Sequence, residues 1–385
     1  MRILYYSSSS FVDADLPLLK AMADAGNEVI YLLQVAPFSK NSPLFSINQI
    51  KPESGIFPTE DYPQLSIIDK YVKRGNAFVL NDSVGKLKSI RNSFRLVKML
   101  KSFVQQVSPD IVHIVETPYE LYFLAIRDYK QVITVHDPFP HSGEKTRRKA
   151  IIRRVLFGKA DGFILLNDRE NLEFARHFKI PEEKIHNSKL GQYDCIKEFG
   201  KGKRRYPFRY ILLQGRISPY KGIEYAIQAM DSISEVNDVK LVIAGSGDIY
   251  FDLNKYNLSN VVIDNRYITV DEIADNIRFA EFVLAPYTDA TQSGVIQTAF
   301  ALGKPVVATK VGNFDQVIKD GINGFLVPPC DSGSLAESMV KMLQDDSLRE
   351  QMGRNIMTQN ECSEWDAIVS TYGSAYSEIL KNRDR

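Results

Sequence analysis

Cysteine is scarce in this chain: Cys195, Cys330 and Cys362 are spread along 385 residues, with no CxxC pair and no histidine cluster beside them. Such usage argues against a disulfide framework or a zinc site and fits a reducing cytoplasm. No run approaches the ~20 uninterrupted apolar residues of a membrane-spanning helix. The opening MRILYYSSSS lacks the basic start and long apolar core of a signal peptide. No GxGxxG follows a strand at the start of either half, which counts against a plain dehydrogenase. Net charge is close to balance, at +1, and no nucleic-acid partner is expected.

What is present reads as soluble and globular. Hydrophobic residues make up 44% and charged residues 25%, ordinary values for such a protein, and the length favours two domains over one. The charge is unevenly spread: residues 1 to 190 carry 27 basic against 21 acidic side chains, the remainder 21 against 26. An excess of cations in the first half points to contact with something anionic.

Short β-rich apolar runs alternate with segments of helical period. RILYYS, EVIYLLQV, DIVHIVET, QVITVHD and DGFILLN read as strands in the first half. YILLQGRI, VKLVIAGSG, NVVIDNRYI, FVLAPY, PVVATK and GFLVPP read as strands in the second. Helical patterns between them include Leu18 to Ala25, Tyr225 to Ile233, Asp271 to Phe279 and Leu335 to Leu343. This alternation predicts parallel sheets covered on both faces. It restarts after residues 198 to 208, EFGKGKRRYPF, a Gly- and Pro-bearing basic stretch that reads as the linker between two Rossmann-like domains. Ligands of doubly wound sheets bind beyond the carboxyl ends of the strands, which predicts a site in the cleft between the domains.

Two basic segments stand out. In residues 86 to 107, Leu87, Ile90, Phe94, Val97, Leu100 and Val104 recur at helical spacing, with Lys86, Lys88, Arg91, Arg95, Lys98 and Lys101 largely elsewhere on the helix. Residues 145 to 159, KTRRKAIIRRVLFGK, surround Ile151, Ile152, Val155, Leu156 and Phe157 with cations. Either alone reads as a core helix with a solvated basic face. Together they make an anionic membrane surface a candidate partner, at roughly 1 kcal/mol for each Lys or Arg near it.

Three stretches of the second half fall at strand ends. LQGRISPYKG places Arg216 and Lys221 on a turn shaped by Pro219 and Gly222. Two cations so placed suit a pyrophosphate, the planar fork of Arg beside the point charge of Lys; the plainer reading is two exposed cations on a loop. Ile243 to Asp248, IAGSGD, lets backbone approach a ligand at Gly245 and Gly247, although such a pair is often only a turn. Finally, Ser293-Gly294-Val295 opens a helix whose free amides and dipole make an anion site.

With GRISPYKGIEYAIQAM, LVIAGSGD and APY…SGV…AFALGKPVVAT…GNFDQVIKDGINGFLVPP in this order and spacing, residues 208 to 345 resemble the C-terminal domain of the family 4 glycosyltransferases. SEWDAIVSTYGSAYSEIL resembles the helix that closes that fold. The resemblance implies an α/β protein of GT-B type, two Rossmann-like doubly wound domains facing across a cleft. An acceptor-binding domain would span 1–198, a nucleotide-sugar domain 208–360, and a helix in 361–385 would pack back on the first domain.

By the same resemblance, Arg216 and Lys221 would hold the donor diphosphate, with Gly215, Gly245 and Gly247 admitting its approach. The amides of Ser293, Gly294 and Val295 would bind phosphates and donor sugar, and Tyr267 and Ile268 would contact the base through backbone groups. His136 stands where the family has its active-site histidine. Asp137 and His141 would lie on the acceptor side, as would Ser8 and Ser9 of a serine run that reads equally as a flexible turn. The family's paired glutamates fall on Ala290 and Thr298 here, with Asp289 and Gln297 one residue off. A one-residue shift on a helix turns a side chain by ~100°, so Gln297 is no simple replacement. Thr298 would meet the ribose instead, and Thr291 or Gln292 with Ser293 the donor sugar.

The implied reaction is transfer of a sugar from a nucleotide diphosphate sugar to a hydroxyl of a glycan or lipid-linked acceptor, with retention. No cofactor and no metal are expected, since no DxD motif stands at a strand end. The expected setting is assembly of surface polysaccharide or glycoconjugate, in the cytoplasm or peripherally on the cytoplasmic membrane face. The rivals are a silent nucleotide-binding partner subunit, a GT-B nucleotide-sugar epimerase and a phosphorylase.

Overall fold

The computed structural model describes residues 1–37, 42, 44–47, 51–84, 89–116, 122–139, 153–154, 156–233, 238–359 and 363–381. The chain divides into two compact units, Met1–Pro138 with Thr146–Gly191 and Glu364–Arg385, and Phe139–Lys145 with Gln192–Ser363. Each holds a predominantly parallel sheet.

In the first unit the strands are β1 (Arg2–Ser8), β2 (Glu28–Val35), β3 (Gly55–Pro58), β4 (Ala77–Asn81), β5 (Ile111–Val115), β6 (Gln131–Val135), β7 (Gly162–Leu165) and β8 (Ile185–Asn187). Their order is β3-β4-β2-β1-β5-β6-β7-β8, parallel except for the antiparallel β3–β4 edge. The second unit holds β9 (Arg209–Gln214), β10 (Val239–Gly245), β11 (Val261–Asn265), β12 (Val283–Ala285), β13 (Val306–Thr309) and β14 (Gly324–Val327), in the order β11-β10-β9-β12-β13-β14. Both sheets reverse their winding beside the first strand, between β1 and β5 and between β9 and β12. These are the points where crossovers part to opposite faces and leave a crevice.

The unbroken apolar runs follow from burial on both faces. Ile211 and Leu213 of β9 enter one core with Ile227, Met230 and Met339. Tyr210 and Leu212, on alternate positions, enter another with Ile277, Ile296 and Phe300. Each such side chain contributes about 1.5–3 kcal/mol on full burial. β3, β4 and β8 are additional to the strands read from sequence. β3 ends in proline and β8 has three residues, too short for a period to register.

Residues 198–208 are not a free linker, because they belong to the second unit. The Asp275 carboxylate accepts the amides of Lys201, Gly202 and Lys203 at 3.0, 3.1 and 3.1 Å, and Asp271 accepts that of Gly200 at 3.0 Å. The C-terminal helix Ser363–Lys381 belongs to the first unit from Glu364 onward. Tyr376 and Thr134 occupy the two ring nitrogens of buried His113 at 2.7 and 2.9 Å. Burial pushes that imidazole down to about 3, so His113 is a neutral structural group.

The helix Ile90–Val107 turns Leu96, Leu100 and Val104 into the unit and leaves Phe94 55% exposed. Phe94 was expected in the apolar stripe; it stands instead among Arg91, Lys98 and Lys101 on the outer face. Of the 145–159 segment, 145–152 and Val155 lie outside the described residues, while Leu156 and Phe157 are buried.

Candidate functional site

The carboxyl ends of β9, β10 and β12 gather the second unit's predicted residues. Beyond β9 the chain turns at Gly215, φ +121. A Cβ on Gly245 would lie 1.9 Å from the Gly215 carbonyl oxygen, and one on Gly247 would lie 2.3 Å from that of Ile217. The two strand-end loops therefore touch backbone to backbone, locked by Ile217 N–H donating to Ser246 O at 3.0 Å. These glycines hold the loop that carries Arg216 and Lys221.

Arg216 is exposed at the site's edge. Lys221 is the opposite case, only 6% exposed. Its Nζ donates to the Tyr287 hydroxyl and lies 3.8 Å from the centre of that ring. Burial lowers its pKa to about 8, with Arg216 adding to the effect against Tyr220. Tyr287 is itself buried, which raises its phenol to about 12, so it stays a neutral acceptor.

Ser293 donates to the same Tyr287 oxygen at 3.3 Å. As N-cap of the helix Gly294–Ala301, its Oγ also accepts the Ile296 amide at 3.4 Å. Tyr287 thus ties the lysine loop to the helix N-terminus. Val295 closes over the turn, 3.5 Å from where a Gly215 Cβ would be, and Tyr193 lies against Gly294. A buried ammonium and an exposed guanidinium on one strand-end turn stand with a helix N-terminus at this sheet edge, a set of groups that suits an anion. The sequence reading missed Tyr287; a Pro-Tyr pair at a strand end is too common to signal such a role.

The remaining predicted donor residues fall as follows. Ala290 is buried in the core, and Thr291 is buried with its carbonyl accepting the Asn313 amide at 3.1 Å. Gln292 is half-buried and Gln297 buried. Tyr267 is 51% exposed, and its carbonyl accepts from Arg266 at 2.8 Å; Ile268 is buried. Thr298 spends its hydroxyl proton on Gly294 O at 2.7 Å, so only its lone pairs remain for a ribose. Thr298→Val should therefore weaken nucleoside diphosphate binding by about three- to tenfold, the net worth of one hydrogen bond. Calorimetric titration checks this, and an unchanged Kd removes Thr298 from the site.

In the first unit, Ser8 is the last residue of β1, and Ser9, Phe11, Glu116 and His136 follow the ends of β1, β5 and β6. Ser9 is fully buried rather than available on a flexible turn, and Ser8 is half-buried. His136 is 8% exposed, its ring stacked on Phe11 at 4.6 Å. Burial lowers its pKa against the raising fields of Glu116 and Asp137, which keeps the imidazole neutral at pH 7. Glu116 Oε1 accepts the amides of His136 and Asp137 at 2.8 and 3.3 Å. Nothing in the sequence marked Glu116. His141 lies outside the described residues.

Two family models match the chain, Glycosyltransferase Family 4 over residues 18–186 and Glycosyl transferases group 1 over residues 209–345. Together they take in most of its length. The α-D-kanosaminyltransferase of Streptomyces kanamyceticus is 29% identical over 211 residues, 51% of this chain and 55% of that protein. The chain spans about half the length of the curated relatives it matches. Among solved structures, a sucrose-phosphate synthase from Thermosynechococcus elongatus superposes with a TM-score of 0.66 at 17% identity, covering 99% of this chain and 100% of that one. Anabaena HepE in complex with UDP-glucose gives 0.62 at 16%, with the same coverage. At these identities the likeness is one of fold.

Proposed function

Because this chain belongs to the family 4 glycosyltransferases and carries their GT-B architecture, we propose that it moves a sugar from a nucleotide diphosphate sugar to a hydroxyl, retaining the anomeric configuration. The observation that carries this reading is the join at Tyr287 between Lys221 and the helix N-terminus at Ser293. As the anomeric C–O bond breaks, charge grows on the departing phosphate oxygen. Arg216, Lys221 and the amides of the Gly294–Ala301 helix meet it already oriented, which is where electrostatic catalysis is strongest. In a front-face attack the acceptor oxygen forms the new bond to the anomeric carbon, and its proton passes to the leaving phosphate. His136 serves the donor sugar as a neutral hydrogen-bonding group. With three sources of positive potential on the diphosphate, the chemistry has no need of a divalent metal.

The test is a panel of nucleotide sugars, UDP-glucose first, read by thermal shift and then by release of nucleoside diphosphate with added acceptors. The true donor raises Tm by mass action and yields a glycosylated product with its anomeric configuration kept. Epimerised donor would favour an epimerase instead, and stabilisation without turnover a silent subunit.

The acceptor is proposed to be a glycan or lipid-linked glycan reached at a membrane surface, in polysaccharide or glycoconjugate assembly. No described helix is long and apolar enough to cross a membrane. Crossovers from β4 to β8 all run one way across the sheet, so right-handed connections place helices Ile90–Val107 and Asn171–Phe178 on the same face. There Phe94 stands out among Arg91, Lys98 and Lys101. At roughly 1 kcal/mol per cation, Arg91→Glu with Lys98→Glu should weaken binding to phosphatidylglycerol vesicles at least about tenfold at low salt. Co-sedimentation measures it; wild-type protein that ignores such vesicles ends the membrane proposal and leaves the transfer reaction standing.

A further inference from the structure

Glu116 follows β5 with φ +60, the left-handed region that a residue bearing a Cβ seldom adopts. Strain of this kind persists where its surroundings hold it, often at functional sites. Here the cause is visible. Glu116 Oε1 takes two successive amides, those of His136 and Asp137, while Oε2 pairs with Nη2 of Arg153. The same guanidinium donates to the carbonyl oxygens of Asp137 at 2.8 Å and Pro138 at 3.1 Å. Backbone 136–138 is gripped by a carboxylate on its donors and by a guanidinium on its acceptors, and an ion pair closes the grip. Both side chains are largely shielded, 16% and 17% exposed, so water does not loosen them. On the other side the His136 ring rests on Phe11. Arg153, one of the cations of the basic segment 145–159, is turned inward to this task.

We propose that Glu116 and Arg153 are positioning residues that fix the His136 imidazole against Phe11 for sugar transfer. This rests on the reading of His136 as a working residue of that reaction. The geometry allows no cheap substitute. Lysine at 153 keeps the charge but cannot span two carbonyls and a carboxylate. Glutamine at 116 keeps an oxygen for the two amides but turns an NH2 group toward Arg153.

The experiment compares Glu116→Ala, Glu116→Gln, Arg153→Lys and His136→Gln in the full chain, each checked by thermal unfolding. It reads kcat and donor KM with the nucleotide sugar that the panel, UDP-glucose first, finds to be turned over, and the His136 ring signals in long-range 1H–15N spectra, assigned by their loss in His136→Gln. Glu116→Ala and Arg153→Lys should shift or broaden the His136 signals. They should lower kcat at least about tenfold, the cost of misplacing an oriented group, with donor KM within about twofold. Glu116→Gln should recover part of both, and it replaces Glu116→Ala should that variant fail to fold. Unmoved ring signals overturn the clamp, whatever the rates. Moved signals with an unchanged kcat overturn its part in transfer. Full activity in His136→Gln overturns the reading of His136 itself, a failure told apart because the ring signals of the Glu116 variants still report on the clamp.

Discussion

Lys221→Met lowers sugar transfer by about a hundredfold or more, as removal of one preorganised donor to developing charge does, and leaves the protein no less stable. The two halves of this expectation have one cause. Lys221 is buried, and burial brings its pKa from 10.5 to about 8 with Tyr287 and Tyr220 as its neighbours. Since the folded value lies below the unfolded one, the charged form disfavours folding by about 3 kcal/mol at neutral pH. That penalty is complete below pH 8 and fades as pH rises toward 10.5. Methionine of similar length removes it, so Tm holds or rises while activity collapses. Donor affinity of the unaltered protein should also decline above pH 8, where free Lys221 loses its proton, and Lys221→Arg should flatten that decline. Steady-state rates, differential scanning fluorimetry and titrations between pH 6.5 and pH 9.5, roughly bracketing the lysine, check the set. A Lys221→Met enzyme within about threefold of normal would move the diphosphate site elsewhere.

Gly245→Ala is expected to destabilise the fold by on the order of 3 kcal/mol, through backbone contact rather than chemistry. Its Cβ would enter within 1.9 Å of Gly215 O and 3.4 Å of Arg216 N, at a φ of +156. Neither neighbour is a side chain that can step aside, so the β9 and β10 loops must part and the Arg216 turn with them. Two comparison variants separate the causes. Gly26→Ala meets nothing within 4 Å at φ +85 and carries only the conformational cost of about 1–2 kcal/mol. Gly373→Ala, in the open middle of the Ser363–Lys381 helix, should stabilise by about 0.5–1 kcal/mol. Chemical denaturation orders the three. Equal losses in Gly245→Ala and Gly26→Ala would show that the loops do not meet as closely as described.

These two results bear on different parts of the site, and the sequence foretold them unequally. Arg216, Lys221 and the Ser293 helix start were legible because strand ends, turn formers and small-residue helices are local patterns. Gly245 was read as a ligand-facing glycine; in the fold its lack of a Cβ is used first by the neighbouring loop. Tyr287, Glu116 and Arg153 were not legible. Each owes its part to a partner on another element: Lys221 lies 66 residues from Tyr287, and Arg153 lies 37 residues from Glu116.

The sequence by itself determined the alternation of strands and helices, the two-layered burial of each sheet and the family's cationic strand-end turn. All of these depend on period and spacing within short windows. It misjudged residues 198–208, whose glycines and cations look like a linker until the Asp275 carboxylate gathers three of their amides. It also placed Phe94 inward, where a helix that buries Leu96, Leu100 and Val104 cannot turn it. Only the tertiary structure decided that Lys221 is desolvated against a tyrosine, that His136 is neutral and stacked on Phe11, and that Arg153 faces inward. Burial and partner geometry set a side chain's charge and direction, and both are sums over contacts that no local stretch of sequence contains.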